Sequence, residues 1–94
     1  MDMVRVTRCD ASECAYNMGE TCHAMAITIG GRVDRKCDTF MPSSAKGGIP
    51  DVTAGVGACK VSNCTFNKNL ECVAPNIQVG HRGDEVDCLT FTEA

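Results

Sequence analysis

Alternating apolar residues mark two short segments of the chain, and each segment runs into glycine. Residues 24–29 (AMAITI) carry Ile27 and Ile29 at alternate positions. Two glycines follow, and RVDRKC (32–37) is then the expected return strand. Residues 76–79 (NIQV) repeat the alternation before Gly80. Alternating β-branched residues followed by glycine are typical of β-hairpins. We therefore expect one hairpin in each half of the chain, with Gly80 opening the second turn.

The same two halves carry eight cysteines in two copies of one spacing. Four, seven and fourteen residues separate the cysteines of the first copy, and four, seven and fifteen separate those of the second. The neighbouring residues repeat as well, as CAYN (14–17) with CTFN (64–67) and CDTF (37–40) with CLTF (88–91). The two sets are Cys9, Cys14, Cys22 and Cys37, and Cys59, Cys64, Cys72 and Cys88. This duplication predicts two tandem four-thiol modules.

The duplication and the hairpin signals together define the expected fold. We place module one at residues 4–41 and module two at residues 56–94, with a linker rich in Gly, Pro, Ser and Ala at residues 42–55. No segment has the apolar period or the length of a stable amphipathic helix. The fold class predicted is a small metal-stabilised β-rich protein, made of zinc-ribbon-like hairpin modules in two tandem repeats with little helix.

The linker decides whether the modules depend on each other. Its composition is that of a flexible connection with few apolar anchors, so we expect each module to fold around its own cysteines. The alternative is that the linker packs as an extended segment through Ile49, Val52 and Val56.

The composition explains why the cysteines matter for stability. The chain has 94 residues with no Trp, one Tyr and three Phe, so large core side chains are scarce. Cores of modules this small supply at most ~3–5 kcal/mol, and such modules need disulfides or a metal. We read the aromatic pair Tyr16 and Phe66 as core residues rather than a binding pair, with Phe40 and Phe91 covering the same core.

The redox compartment decides between metal and disulfides. The N-terminal residues MDMVRVTRCDAS lack the apolar run and cleavage site of a secretory signal, so we expect a cytoplasmic protein with reduced thiols. Four soft thiolates suit tetrahedral Zn²⁺, and a hairpin can bring distant cysteines together. We therefore expect two Zn²⁺ per chain. Two disulfides per module, with three pairings in each, remain the alternative. A single iron or an iron–sulfur cluster fits the spacing less well.

Charge limits the partners. The formal net charge is −3, and each Zn²⁺ bound by four thiolates would add a net charge of about −2, which takes the loaded protein to about −7. Binding to nucleic acid without regard to sequence needs a basic surface, so we favour no nucleic-acid partner. No stretch approaches the ~18 apolar residues of a membrane span, so no membrane association is expected. A protein partner is expected but not identified, and the oligomeric state is not predicted.

The remaining polar residues form no recognisable catalytic group. His23 aligns with Val73 and His81 aligns with Gly31, so neither histidine belongs to the repeated pattern, and we read both as surface residues. The carboxylates are scattered, and no Ser-His-Asp order, phosphate-binding glycine loop or redox CxxC is present. We expect a protein that is not an enzyme.

The pattern C-x₄-C-x-[YF]-N-x₄-C-x-A-x₂-I-x-[IV], ending in C-x-T-F, resembles the small four-cysteine domain called domain of unknown function 1540. Both modules carry it, and the extra residue before Cys88 falls in the hairpin loop. The resemblance implies metal ligation, with zinc as the expected ion, at Cys9, Cys14, Cys22, Cys37, Cys59, Cys64, Cys72 and Cys88. It implies no activity.

The function expected from the sequence is therefore structural zinc binding by two tandem modules that present a protein-interaction or regulatory surface. Two other classes stay open. One is a redox or metal-handling protein, with iron or iron–sulfur as an option, in which the thiolates release metal on oxidation. The other is a disulfide-stabilised structural or coat protein.

Overall fold

The structure is a computed structural model that describes residues 3–30 and 35–94. The described residues form strands and turns with no helix, which confirms the β-rich fold expected from the sequence. Metal stabilisation, the other half of that expectation, remains a prediction. The described strands are β1 (Val6–Cys9), β2 (Asn17–Met18), β3 (Thr21–Cys22), β4 (Ala26–Ile29), β5 (Gly55–Cys59), β6 (Asn67–Lys68), β7 (Glu71–Cys72), β8 (Ile77–Arg82) and β9 (Glu85–Cys88).

Two parallel strand pairs join module one to module two. β1 of module one lies parallel to β8 of module two, with Val6 opposite Ile77. β4 of module one lies parallel to β5 of module two, with Ile27 opposite Val56. Each parallel pair has one irregularity in its register, after Val6 in β1 and opposite the Ile27–Thr28 step in β4. The two pairs use matching positions of the repeat, so the modules are related by an approximate two-fold exchange of strands.

A third contact between the modules runs beside this exchange. The backbone N–H of Cys37 donates to the Val86 carbonyl at 2.8 Å, and that of Cys88 donates to the Arg35 carbonyl at 2.9 Å. The Asp87 carboxylate between them is 1% exposed and lies 3.2 Å from Arg82 Nη1 and 3.8 Å from Arg35 Nε. A buried carboxylate needs such a partner, because an unpaired charge away from water is costly.

The exchanged strands build one core. A single cluster of buried side chains contains residues of both modules, including Val6 and Ile27 from module one and Val56 and Ile77 from module two. All four are at most 3% exposed. This shared cluster argues against our expectation that each module folds around its own cysteines. The boundaries at 4–41, 42–55 and 56–94 remain predictions.

The hairpin predicted in module two is present, but its turn is not where the sequence placed it. β8 and β9 are antiparallel, with Arg82 opposite Glu85, so Gly83 and Asp84 form the turn. Gly80 instead lies buried inside β8, where a Cβ would come within 2.6 Å of the Asp10 carboxylate. Our prediction of a turn at Gly80 was wrong, because the glycine admits a side chain of the other module.

The hairpin predicted in module one is described only in part. The Gly30 N–H donates to the Lys36 carbonyl at 2.7 Å, and Ile29 bridges to Cys37, so the chain closes on itself there. The turn and the first part of the return segment 32–37 lie outside the described residues.

Candidate metal centres

The four cysteines of module one line a single small cavity, together with Tyr16 and Phe40. Different local structures bring them there: the end of β1, a turn, the end of β3 and the closing bridge of the hairpin. We call this set centre one, and its members are Cys9, Cys14, Cys22 and Cys37. All four are buried, with at most 7% of each exposed.

Module two repeats the arrangement, and its cavity is also lined by Phe66 and Phe91. We call its cysteines centre two, and they are Cys59, Cys64, Cys72 and Cys88. The aromatic residues around both cavities are half-buried and pack against the core, as the sequence led us to expect.

Each cavity also has walls from the other module. Val79 and Val86 of module two line the cavity of centre one, and Ile29 of module one lines that of centre two. Neither set of thiols is therefore enclosed by its own module alone.

The thiols have the chemistry of metal ligands, but they lie too far apart in this structure to coordinate one ion. All eight are free cysteines. Within residues 3–30 and 35–94, no three His, Cys, Asp or Glu side chains lie close enough to one another to hold a metal ion. The donor set itself fits zinc, since four soft sulfur ligands facing one enclosed space are what a structural site uses. Ligation by these residues stays a prediction, and binding would require the sulfurs to move closer together.

Burial makes isolated thiolates unfavourable at both centres. Desolvation raises the pKa of the Cys37 thiol to about 12 and that of the Cys88 thiol to about 11. Burial also raises the pKa of Cys9, Cys22 and Cys72. The physical cause is that an anion loses its hydration in an apolar cavity. A cation bound among the sulfurs would offset this penalty, and its binding would release protons.

An asparagine supports the first cysteine of each centre. Asn17 Nδ2 donates to the Cys9 carbonyl at 2.6 Å, and Asn67 Nδ2 donates to the Cys59 carbonyl at 2.8 Å. Both asparagines lie in strands, Asn17 in β2 and Asn67 in β6. The signal for this supporting role was their repetition in CAYN and CTFN, which we used only as evidence of the duplication.

Two tight hairpins escaped the sequence analysis. β2–β3 turns through Gly19 and Glu20, and β6–β7 turns through Asn69 and Leu70, all at positive φ between 54° and 67°. Two consecutive residues with positive φ define the type I′ turn that suits β-hairpins. Each turn presents a carbonyl to the first cysteine of its centre: Glu20 O accepts from Cys9 N–H at 2.9 Å, and Leu70 O accepts from Cys59 N–H at 2.8 Å.

The segment after module one covers part of it. We call residues 42–54 the covering segment, and it contains most of the predicted linker. Backbone N–H groups at Gly47 and Ile49 donate to the carbonyls of Ala15 and His23 at 2.8 and 2.9 Å. The ammonium group of Lys46 donates to the Cys14 carbonyl at 3.1 Å. The linker therefore packs on module one, as the alternative stated, but backbone hydrogen bonds contribute more than the expected anchors. Val56 is 3% exposed, Val52 is half-buried and Ile49 is 42% exposed.

Neither histidine belongs to a centre. His81 is exposed, and its Nε2 lies 2.9 Å from Glu13 Oε2. His23 is half-buried, and its Nδ1 lies 2.8 Å from the Val52 carbonyl of the covering segment. From the sequence we read both histidines as surface residues. This holds for His81, whereas the half-buried His23 anchors the covering segment.

Two repeats of a β-rich unit, each with four cysteines around one cavity, define the class as cysteine-rich tandem-repeat proteins. The chain belongs to the family described as Domain of Unknown Function (DUF1540), whose model matches residues 7–40 and 58–91. The resemblance stated from the sequence is thereby confirmed.

Neither of the other comparisons found a relative. No curated protein and no solved structure matches the chain significantly. Among the described residues, no helix is long and apolar enough to span a membrane.

Proposed function

We propose that this protein is a cytoplasmic structural zinc-binding protein that holds one Zn²⁺ at each centre and presents its surface to a protein partner. The observation that carries the proposal is the convergence of four buried thiols on one cavity in each module. Structural zinc sites use four such ligands, and their metal contributes directly to folding.

The same ligand set argues for a structural rather than a catalytic role. Zinc bound by four cysteines has no open position for substrate or water, whereas catalytic zinc keeps one. Apart from the cysteines, mostly hydrophobic side chains line the two cavities, which suits a closed structural site. We therefore propose a protein that is not an enzyme.

The negative net charge favours a protein partner over nucleic acid. With two zinc ions bound, the formal charge of −3 becomes about −7, since each four-thiolate zinc adds about −2. Phosphate backbones bind to basic surfaces.

Native mass spectrometry of the freshly purified chain, combined with a free-thiol count under denaturing conditions, tests the proposal. We expect two zinc ions per chain and no disulfides. Metal-free protein with its cysteines joined as disulfides would favour the disulfide-stabilised structural or coat protein. Iron in place of zinc would favour the redox or metal-handling role.

Removal of the metal gives a second test. Structural zinc contributes an apparent ~10–16 kcal/mol in small fingers, which exceeds the ~3–5 kcal/mol that a core of this size supplies. Chelation under reducing conditions should therefore unfold the chain. Circular dichroism and amide NMR dispersion measure this. Native dispersion in chelated, reduced protein would contradict the zinc-dependent fold.

A further inference from the structure

The two centres differ in how well they are shielded from solvent. From the second cysteine to the residue after the third, seven of the ten matched positions are more exposed in module two than in module one, and the other three are equally exposed. The difference holds where the residue type is the same, as for cysteine and asparagine. The pairs, module one first, are Cys14 and Cys64, Ala15 and Thr65, Asn17 and Asn67, Met18 and Lys68, Thr21 and Glu71, Cys22 and Cys72, and His23 and Val73.

The covering segment explains the difference. It hydrogen-bonds to the carbonyls of Glu13, Ala15, Cys22 and His23, and so lies along the region of module one that contains the second and third cysteines. In the described part of module two, only residues 92–94 occupy a comparable place, through bonds with Asn63 and Thr65. Residues 92–94 donate no backbone hydrogen bond to the carbonyls of Cys72 or Val73, the counterparts of Cys22 and His23.

We propose that centre two is an oxidant-reactive thiol site, in which Cys64 and Cys72 react with hydroperoxides while centre one stays protected. This proposal rests on the proposed function, because it states that centre two loses its zinc on oxidation more readily than centre one. Cysteine reactivity requires access of the reagent to the sulfur, and only these two of the eight cysteines are half-buried rather than buried. The same accessibility applies to other soft electrophiles.

The reaction balances with one molecule of hydrogen peroxide, the simplest hydroperoxide. The thiolate of one cysteine attacks a peroxide oxygen, the O–O bond breaks, and the departing hydroxide takes a proton to become water. The resulting sulfenic acid is attacked by the second thiolate. The S–S bond forms, the S–O bond breaks, and a second hydroxide is protonated to water. Two electrons pass from the two sulfurs to the peroxide. A centre left with two thiols no longer offers four soft ligands, so it loses its hold on the metal.

Limited oxidation of the full chain tests the proposal. The purified protein, with whatever metal it carries, is treated with one equivalent of hydrogen peroxide. Free thiols are then alkylated, and the peptides are mapped by mass spectrometry. We expect oxidation at Cys64 and Cys72 to be several-fold faster than at Cys14 and Cys22, with release of a single zinc. Equal rates, or faster oxidation in module one, would overturn the proposal.

A matched glycine pair tests the role of the covering segment. Gly48 has φ +90°, and a Cβ there would lie 2.6 Å from the His23 carbonyl oxygen. Gly83 has φ +65°, with nothing within 4 Å of a Cβ. G48A should displace the covering segment and raise the reactivity of Cys14 and Cys22 towards that of Cys64 and Cys72. G83A carries similar backbone strain and should leave the oxidation rates of Cys14 and Cys22 unchanged. Unchanged rates at these two cysteines in G48A would refute shielding by this segment.

The outcomes separate this proposal from the zinc proposal. Protein that carries no zinc but oxidises first at Cys64 and Cys72 supports the reactive site and refutes the zinc role. Protein with two zinc ions and equal reactivity does the opposite. A disulfide already present in module one of the purified chain would refute both.

Discussion

Module one and module two share their cysteine spacing, their supporting asparagine and their tight hairpin, yet they differ in solvent exposure. The shared features lie inside the repeat and form the scaffold that holds four thiols around a cavity. The difference arises outside the repeat, from residues 42–54, which cover only module one. The comparison teaches that the duplicated sequence sets the chemistry of the two centres, whereas the segment between them sets their accessibility.

The modules also show that a sequence repeat need not be a folding unit. Each module contributes one strand to each of two parallel pairs with the other, and each adds apolar walls to the other's cavity. Parallel pairing always requires a long connection, and here the residues between β4 and β5, which include the covering segment, provide one of these connections.

The largest effect should follow from removing one ligand in each module. C22S and C72S each leave a zinc centre with three thiols and remove much of the ~10–16 kcal/mol that a structural zinc contributes. Because the modules share strands, we expect either variant to weaken metal binding at both centres. Native mass spectrometry and counting of dispersed amide signals measure this.

These two variants can also break the comparison. If C22S keeps one full zinc and half of its dispersed signals, and C72S does the same for the other half, the modules are independent. The original expectation from the sequence would then be correct, and the shared core would be unimportant for folding.

The next effect concerns the matched core residues Ile27 and Ile77. Both are at most 2% exposed, and each lies opposite a valine of the other module. Burial of this kind makes Ile→Ala cost about 2–5 kcal/mol. We expect I27A and I77A to lower the free energy of unfolding by similar amounts in chemical denaturation. I49A is the control, since that residue is 42% exposed and should change little. A large loss in only one of the two core variants would contradict the two-fold exchange.

The sequence predicted the features within each module better than the way in which the two modules pair. The repeat identified all eight thiols, the aromatic walls and the hairpin of module two, because local spacing and alternation encode them. It did not predict that β1 pairs with β8, since pairing of distant strands leaves no local pattern. It also misread Gly80, whose small size admits Asp10 from the other module. Only the tertiary arrangement shows such a close approach.

A smaller effect should separate the two supporting asparagines. Asn17 is 4% exposed, whereas Asn67 is half-buried. Loss of a buried hydrogen bond that leaves a carbonyl unpaired costs about 1–3 kcal/mol, and water can replace the bond at a more exposed site. We expect N17A to destabilise the chain more than N67A in thermal unfolding followed by circular dichroism. Equal losses would show that solvent does not reach the Cys59 carbonyl, and would weaken the contrast in shielding.

The smallest effect concerns the two tight hairpins, where a non-glycine residue adopts positive φ. Leu70 has φ 67° and is 55% exposed, so its side chain gains little in return for the backbone strain. The left-handed conformation costs a non-glycine residue about 1–2 kcal/mol, and glycine loses about 0.4–1 kcal/mol more entropy on folding. L70G should therefore stabilise the chain by less than about 1 kcal/mol. E20G relieves similar strain but removes the exposed ion pair between Glu20 and Arg8, 2.9 Å apart, and exposed pairs contribute up to about 1 kcal/mol. Because only E20G also loses an ion pair, we expect L70G to raise the denaturant midpoint more than E20G does. The reverse order would mean that the ion pair in module one matters more than its exposure suggests.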